Sequence, residues 1–313
     1  MSIESHTNGG DGSAWIVPAA PNRWVIAHYH IFKNAGSTLE YALRRAFGER
    51  FATVHGPASD SLLRGADLVS FLAAHPDIVA VSSHHLIYPK PDVPGLILFD
   101  LCFLRDPIQR LWSVYNYLCR VESFDELSAC AKSMPPRQFF ELMVEEHPQL
   151  VNDVQVSLIA NGGAYTRPPA FTDLRVAVDV LRRMAVVGLV DLFDQSLVAA
   201  EYFLRPAFPR LQFQYVKQNV SPALSPNDGD TNIQPEEQLR EAIGDVLYGR
   251  LEQLNQLDYH LVARTRQEVQ RRFALMPRCE ERLADFRSRC EVLRRAHLQL
   301  ATGDEPVAVG YSG

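Results

Sequence analysis

An apolar segment that runs into a loop of small residues and then into a helix is the feature that most restricts the fold of this chain. Residues 24–27 are apolar, the loop 33–38 has the sequence KNAGST, and an amphipathic segment follows it. In such a strand–loop–helix unit, backbone N–H groups and the positive end of the helix dipole point outward at one place. Lys33 adds a full charge there, and Ser37 and Thr38 add hydroxyl donors. The sequence therefore predicts a site for a phosphate-bearing ligand.

This loop differs from the Walker A motif of P-loop NTPases. Walker A, G-x-x-x-x-G-K-[ST], places its lysine directly before the serine or threonine at the start of the helix. Here Lys33 lies well before Ser37, and Gly36 is the glycine of the loop. The lysine therefore enters from the strand end. From the loop alone, an ordinary strand–helix turn capped by Ser37 or Thr38 remains an alternative.

A second strand–helix junction repeats the arrangement. Residues 96–104 are nearly all apolar, as in a strand that is buried on both faces. Asp106 then provides an N-cap, and Pro107 suits the first helical position. Open α/β sheets bind ligands outside the carboxyl ends of their strands, so Arg105 is expected to face a ligand that Ser113 shares. The alternatives are a salt bridge from Arg105 and an ordinary helical serine at position 113.

Together the two junctions resemble the phosphate motifs of the PAPS-dependent sulfotransferase family that includes heparan and dermatan sulfate 2-O-sulfotransferases. PAPS is 3′-phosphoadenosine-5′-phosphosulfate, the sulfate donor of these enzymes. KNAGST resembles their 5′-phosphosulfate loop, and FLRDPIQRLWSVYNY resembles their 3′-phosphate motif. The residues that this resemblance implies in cofactor binding are Lys33, Asn34, Ala35, Gly36, Ser37, Thr38, Arg105 and Ser113.

Weaker segments keep the order of that family along roughly residues 24–265. An N-x-S segment implies that Asn219 and Ser221 lie near the cofactor. The sequence NDVQ at 152–155 resembles an N-x-x-Q segment, and NQLD at 255–258 resembles the closing N-x-x-D element. These segments support the resemblance without being specific on their own.

Two adjacent histidines, His84 and His85, occupy the segment in which the family has a candidate general base. Alignment of Tyr88 with the family tyrosine favours His85, whereas alignment of the preceding small residue, Ser83, favours His84. We retain both, with His85 as the first choice. At a strand end, one of the two side chains is expected to face the cleft and the other the core. Either histidine alone is also compatible with a purely structural role.

The activity that the resemblance implies is transfer of a sulfuryl group from PAPS to a hydroxyl or amine of a small-molecule or glycan acceptor. Such a transfer needs positioning and charge stabilisation, for which Lys33 and the planar fork of Arg105 are suited. The catalytic candidates are Lys33, His85 and His84. The sequence has no convincing metal-ligand spacing, so no metal is expected. The alternatives are a P-loop kinase of a small molecule and a non-catalytic nucleotide-binding protein of the same fold.

Composition is consistent with an intracellular enzyme. The chain has 313 residues, 47% of them hydrophobic, and its net charge of −6 gives no reason to expect nucleic-acid binding. The polar first residues do not resemble a signal peptide, and no apolar stretch approaches the length of about 18 residues that spans a membrane. The five cysteines form no C-x-x-C motif. We therefore expect a cytoplasmic protein without membrane contact.

The apolar segments alternate with helical ones, which predicts a P-loop-like three-layer α/β sandwich. We expect a mainly parallel central sheet with helices on both faces, followed by a C-terminal helical extension. The predicted strands are 24–32, 78–82, 96–104, 185–190 and 212–216. The predicted helices are 37–47, 61–74, 107–121, 136–147, 149–160, 173–183, 194–204 and 235–258.

The sequence also predicts a division of the chain into four parts. The divisions are a disordered tail at 1–22, a sulfotransferase domain at 23–265, a helical extension at 266–302 and a flexible tail at 303–313. One face of the extension carries apolar residues at a spacing typical of a docking or dimer helix. These residues, which make the helix a candidate for homo-oligomer formation, are Leu283, Phe286, Cys290 and Leu293.

Overall fold

A five-stranded parallel sheet lies at the centre of the computed structural model, which describes residues 22–58, 61–122, 125–218 and 234–302. Its strands are β1 (Arg23–Tyr29), β2 (Phe51–Thr53), β3 (Ala80–Ser83), β4 (Leu96–Leu104) and β5 (Val186–Leu189). The strand order is β2-β3-β1-β4-β5, and every pairing is parallel. The predicted α/β class with a parallel central sheet is confirmed.

Helices connect and cover these strands, close to the bounds that the sequence predicts. They are α1 (Gly36–Phe47), α2 (Gly65–Ala74), α3 (Pro107–Leu118), α4 (Glu126–Ser133), α5 (Pro136–Glu146), α6 (Val154–Asn161), α7 (Phe171–Arg183), α8 (Phe193–Leu204), α9 (Pro235–Ile243), α10 (Asp245–Leu254), α11 (Gln256–Ala274) and α12 (Cys279–Thr302). None of the described helices has the combination of length and apolarity that crossing a membrane requires.

Both faces of the sheet are buried, because neighbouring residues of each central strand point to opposite sides. Val25 of β1 and Cys102 of β4 belong to one apolar core, whereas Ile26 and Phe103 belong to the other. Helices α2, α6, α7 and α11 contribute to the first core, and α1, α8 and α12 contribute to the second. Two helical layers therefore cover the two faces of the sheet, and the ends of its strands remain uncovered by these layers.

Some predicted elements are wrong. Residues 212–216 are not a strand, because side chains take the place of a neighbouring strand: the Phe213 N–H donates to Glu201 Oε2 at 3.1 Å, and the Phe213 carbonyl accepts from Arg289 at 3.0 Å. The predicted helix 235–258 is divided into separate helices, the first break lying at Gly244 with φ 82°. The predicted helix at 149–160 begins later, at Val154. Strand β2 and helix α4 were not predicted.

The C-terminal helices are packed against the rest of the chain. Helix α11 continues through the predicted division at residue 265, and the chain turns instead near Arg278, whose φ is 55°. Leu283, Phe286 and Leu293 are buried against the chain's own residues. Their apolar face therefore packs against the same chain. Homo-oligomer formation through this helix stays a prediction, and it would have to use other residues of the helix. Residues 1–21 of the predicted tail at 1–22, and the whole predicted tail at 303–313, lie outside the described residues.

Candidate active site

Three loops meet at the carboxyl edge of the sheet. Strand β1 lies between β3 and β4, and all three run in the same direction. The loop 30–35 after β1, the histidine pair after β3 and Arg105 after β4 therefore leave the sheet at the same edge. This is the edge at which open α/β sheets bind ligands.

The loop after β1 has an unusual backbone. Lys33 and Ala35 adopt left-handed conformations with φ of 66° and 60°. Residues without glycine's freedom rarely adopt this conformation, and it costs on the order of 1–3 kcal/mol each. The first turn of α1 contains no acidic residue, and the N–H groups of Ala35 and Gly36 donate to no acceptor among the described residues. The loop therefore presents an open helix N-terminus that suits an anion.

Gly36 is required by a close approach. A Cβ at this position would lie 1.6 Å from Nε2 of His30. The imidazole of His30 therefore fills the space directly beneath the start of α1, and a larger residue at position 36 would displace it.

The two predicted phosphate junctions converge. A guanidinium N–H of Arg105 donates to the backbone carbonyl of Lys33 at 3.2 Å. The ammonium of Lys33 lies 4.4 Å from the ring centroid of Tyr117, on α3, which is a favourable cation–π distance. Neither Lys33 nor Arg105 forms an ion pair with a carboxylate within the described parts of the chain. Two cations therefore lie side by side without a neutralising partner.

The electrostatics of this pair reflect burial and mutual repulsion. Burial, together with the positive charges of Arg105 and Arg120, lowers the pKa of the Lys33 amine to about 8. Burial also lowers the pKa of the Arg105 guanidinium, although the negative charges of Asp106 and Glu236 oppose the shift. In addition, Nε of Arg105 is buried without a hydrogen-bond partner in the described residues. A bound anion would relieve both costs.

One buried amide fastens the two junctions together. The side-chain carbonyl of Gln155 accepts from the side-chain amide of Asn34 at 2.9 Å and from the backbone N–H of Arg105 at 3.0 Å. The Gln155 amide in turn donates to the Arg105 carbonyl at 2.9 Å. Asn34 also donates to the carbonyl of Phe103 at 2.9 Å and is 2% exposed. Its side chain is therefore part of the scaffold, and its backbone N–H is also used within the loop, because it donates to the Ile31 carbonyl at 3.2 Å.

A carboxylate behind this amide completes the brace. Asp258 accepts the backbone N–H groups of Gln155 at 3.0 Å and Val156 at 2.8 Å. The Asp258 N–H donates to Asp153 at 2.8 Å. Gln155 and Asp258 are the last residues of the N-x-x-Q and N-x-x-D segments noted in the sequence. Sequence reasoning noted those segments but assigned them no role; their spacing alone gave no sign that they meet.

The other predicted cofactor residues occupy several environments. Thr38 accepts from the backbone N–H of Gln218 at 3.1 Å, which ties the segment 211–218 to the loop. Ser37 is exposed on the first turn of α1. Ser113 is half-buried on α3, and its hydroxyl bonds to none of the described residues. Asn219 and Ser221 lie outside the described residues.

The start of α3 behaves as the sequence predicts. The Asp106 carboxylate accepts from the N–H groups of Ile108 and Gln109, both at 3.0 Å, and Pro107 is the first helical residue. The predicted cap is confirmed. Asp106 forms no ion pair with Arg105, although its negative charge opposes the lowering of the Arg105 pKa by burial.

The two candidate bases differ in which ring nitrogen is available. Nδ1 of His84 lies 3.1 Å from the carbonyl of His30, which cannot donate, so Nδ1 carries the proton and Nε2 is left basic. Nδ1 of His85 instead accepts the backbone N–H of Gly56 at 2.8 Å, so the proton of neutral His85 lies on Nε2. These tautomers are inferred from the partners. His84 therefore has a free lone pair, whereas that of His85 is engaged.

The imidazole rings of His84 and His85 also differ in their surroundings. The ring of His84 lies 5.9 Å from that of Phe32, the residue that precedes Lys33, and His84 is exposed to solvent. Partial burial of the ring, together with the neighbouring His30, still lowers the pKa of His84 to about 4. His85 is half-buried beside His55, with ring centroids 6.0 Å apart. His84 thus lies beside the phosphate loop, and His85 faces the segment after β2.

Similarity to known proteins covers most of the chain but names no activity. No model of a known protein family matches it. A relative from Archaeoglobus fulgidus is 25% identical over 244 residues, which is 76% of this chain and 94% of the relative. The relative is described as an uncharacterized protein.

Proposed function

We propose that the protein is a sulfotransferase that transfers a sulfuryl group from PAPS to a hydroxyl or amine of an acceptor. The observation that carries the proposal is the hydrogen bond from the Arg105 guanidinium to the Lys33 carbonyl at 3.2 Å. It joins two strand–helix junctions that each resemble one phosphate motif of the PAPS-dependent family. The buried Nε of Arg105 and the amine of Lys33, which have no hydrogen-bond or ion-pair partner among the described residues, fit a ligand with two phosphate groups.

Each residue has a distinct task in this proposal. PAPS supplies the sulfuryl group and a phosphate leaving group. Lys33 and the free amides of Ala35 and Gly36 hold the 5′-phosphosulfate and balance the negative charge that grows on the leaving oxygen. Arg105 binds the 3′-phosphate through its planar fork. His84 removes the proton of the acceptor as the new bond to sulfur forms and the bond from sulfur to the 5′-phosphate oxygen breaks.

Replacement of the two histidines is expected to separate their roles. His84→Ala should lower kcat about 10²–10⁴-fold, because the general base is lost, and leave the affinity for adenosine 3′,5′-bisphosphate unchanged. His85→Ala, the matched control, should change kcat by less than about tenfold. Steady-state kinetics with PAPS and isothermal titration calorimetry measure the two quantities. The reverse order of effects would assign the base to His85.

Nucleotide affinity is expected to depend on pH through Lys33. A bound anion favours the charged amine and raises its pKa above the value of about 8 in the free protein. Affinity for adenosine 3′,5′-bisphosphate should therefore be nearly constant between the second pKa of its phosphates, about 6, and a pH of about 8, and fall above that by up to about tenfold per pH unit. Calorimetry at a series of pH values measures this. Lys33→Arg should remove the dependence, since arginine stays charged, and an equal slope in both proteins would contradict the assignment.

A thermal-shift experiment tests the function itself. Adenosine 3′,5′-bisphosphate is expected to raise the Tm of the full chain, whereas ATP with Mg²⁺ is not. Stabilisation by ATP with Mg²⁺ alone would favour a kinase. Transfer of labelled sulfate from PAPS to a library of small alcohols, amines and glycans then distinguishes an enzyme from a non-catalytic binding protein.

We further propose a cytoplasmic location and a small-molecule or glycan acceptor. The five cysteines are all unpaired, and Cys102 is buried in β4. Unpaired thiols are typical of proteins in reducing compartments, where disulfides are rare.

A further inference from the structure

A cluster of polar side chains is buried beneath the phosphate loop, behind the residues already described. Nδ1 of His30 lies 2.9 Å from Oε1 of Glu40, the residue one turn into α1. The hydroxyl of Ser82 donates to the same oxygen at 2.7 Å. Nδ1 of His28 lies 2.8 Å from the Ser82 hydroxyl. Glu40 therefore connects α1, which begins at the phosphate loop, with both β1 and β3.

The hydrogen bonds place the proton of each ring on Nδ1. Burial opposes the charge on Glu40, but hydrogen bonds from His30 and Ser82 outweigh it and lower the pKa of the carboxyl, so Glu40 is an anion that only accepts. His30 must therefore donate to it. Ser82 spends its proton on Glu40 and accepts from His28, whose pKa burial lowers well below the usual value.

The cluster extends to the candidate base. The rings of His28, His30 and His84 form a histidine stack, with centroids 4.9 Å apart for the first pair and 3.5 Å apart for the second. The backbone carbonyl of His30 also accepts from Nδ1 of His84. A charge that forms on His84 is therefore separated from Glu40 by a single imidazole.

Hydrogen bonding accounts for this cluster better than a metal ion does. His28, His30 and Glu40 offer ligand atoms within 4.8 Å of one another, as a metal site would. The Ser82 hydroxyl, however, bridges His28 and Glu40 through two short hydrogen bonds. The rings of His28 and His30 are also stacked, with an interplanar angle of 18°, so their in-plane lone pairs do not converge on one point.

We propose that Glu40 is a positioning residue for His84: it sets the tautomer of His30, on which His84 packs, and through Ser82 that of His28, and it balances the positive charge that His84 gains on taking the acceptor proton. The proposal rests on the function proposed above. The proton moves from the acceptor to Nε2 of His84, and Glu40 remains a carboxylate throughout. No other described group that faces His84 offers a negative charge, since His30 and His28 from β1 and His55 after β2 are all imidazoles.

The pKa of His84 agrees with this arrangement. Burial and the neighbouring His30 lower it, whereas the negative charge of Glu40 raises it. Removal of that charge therefore makes His84 a weaker base. A carboxylate that acted only as a hydrogen-bond acceptor would have no such effect when replaced by an amide of the same shape.

The test compares Glu40→Gln with wild type, and the matched control is Glu141→Gln on α5, a glutamate whose side chain is 43% exposed and pairs with Arg137. Glu40→Gln keeps an acceptor for His30 but lacks the charge. It should lower kcat about 10- to 100-fold, the size expected for one unit charge several ångströms away. Affinity for adenosine 3′,5′-bisphosphate should be unchanged. NMR of labelled histidines should show a smaller protonated fraction of His84 at the acid end of the titration, and Glu141→Gln should match wild type throughout.

Other outcomes overturn the proposal. Wild-type kcat in Glu40→Gln, an unchanged titration of His84, or a stoichiometric metal ion bound to His28 and His30 would each contradict it. If Glu40→Gln does not fold, Glu40→Asp keeps the charge but withdraws it by one methylene, and the same changes are expected at smaller size. Absence of any sulfate transfer by the wild-type protein would sink the proposed function, whereas the NMR titration would still measure the coupling of Glu40 to His84.

Discussion

Lys33→Ala is expected to slow sulfate transfer from PAPS about 10³-fold or more. In the proposed mechanism Lys33 is the cation beside the N-terminus of α1, where negative charge would grow on the leaving oxygen. Its ammonium lies over the ring of Tyr117 and forms no ion pair or side-chain hydrogen bond with a described residue, so removal of the side chain leaves no buried partner uncompensated. Turnover of labelled PAPS measures the effect.

The control for this variant separates loss of chemistry from loss of fold. Arg137→Ala removes an exposed cation that pairs with Glu141 on the same helix, away from the loop. It should retain wild-type turnover, and both variants should keep a wild-type Tm in the absence of nucleotide. Sulfate transfer at an undiminished rate by Lys33→Ala would remove Lys33 from the mechanism.

Arg105→Ala is expected to weaken binding of adenosine 3′,5′-bisphosphate by about 10²-fold or more. Loss of a charge-assisted, two-pronged contact to phosphate costs about 3 kcal/mol, and each 1.4 kcal/mol is about tenfold in affinity. Turnover of PAPS should fall together with this affinity, because the donor is no longer held in the position needed for transfer. Arg105→Lys should recover part of the affinity, since a lysine supplies the charge without the fork.

A second nucleotide shows whether the loss belongs to the 3′-phosphate. Adenosine 5′-monophosphate lacks that group, so wild type and Arg105→Ala should bind it with the same affinity. Calorimetry with both nucleotides gives the coupling between Arg105 and the 3′-phosphate directly. An equal loss for both ligands would mean that Arg105 supports the loop after β1 rather than the phosphate.

The parts of the fold that the sequence predicts well are those with strong local signals. The nine residues of β4, all apolar except Asp100, followed by Asp106 and Pro107, indicate a buried strand and a capped helix without any tertiary information. The segment 212–216 alternates polar and apolar residues as a half-buried strand would, but the side chains of Glu201 and Arg289 bond to the Phe213 N–H and carbonyl in place of a neighbouring strand. Tertiary partners of this kind leave no local trace.

The candidate site divides along the same line. Lys33 and Arg105 follow predicted strands, so their shared edge follows from the direction of the sheet. The choice between His84 and His85 depends on Gly56 and on the carbonyl of His30, neither of which sequence spacing identifies. The link from Glu40 to the histidine stack was missed for the same reason. In the sequence, Glu40 resembles an ordinary polar residue on the exposed face of an amphipathic helix.

The side-chain amide of Gln155 bonds to Asn34, in the loop after β1, and to Arg105, which follows β4. These two segments are far apart in sequence, and their connection has a consequence for evolution. Both ends of the proposed cofactor site share one small joint, so a change that shifts either loop is transmitted to the other. If the proposed function holds, we expect substitutions to be tolerated more readily on the acceptor side than at Gln155, Asn34 and Arg105, because a change at any of these three residues disturbs both loops.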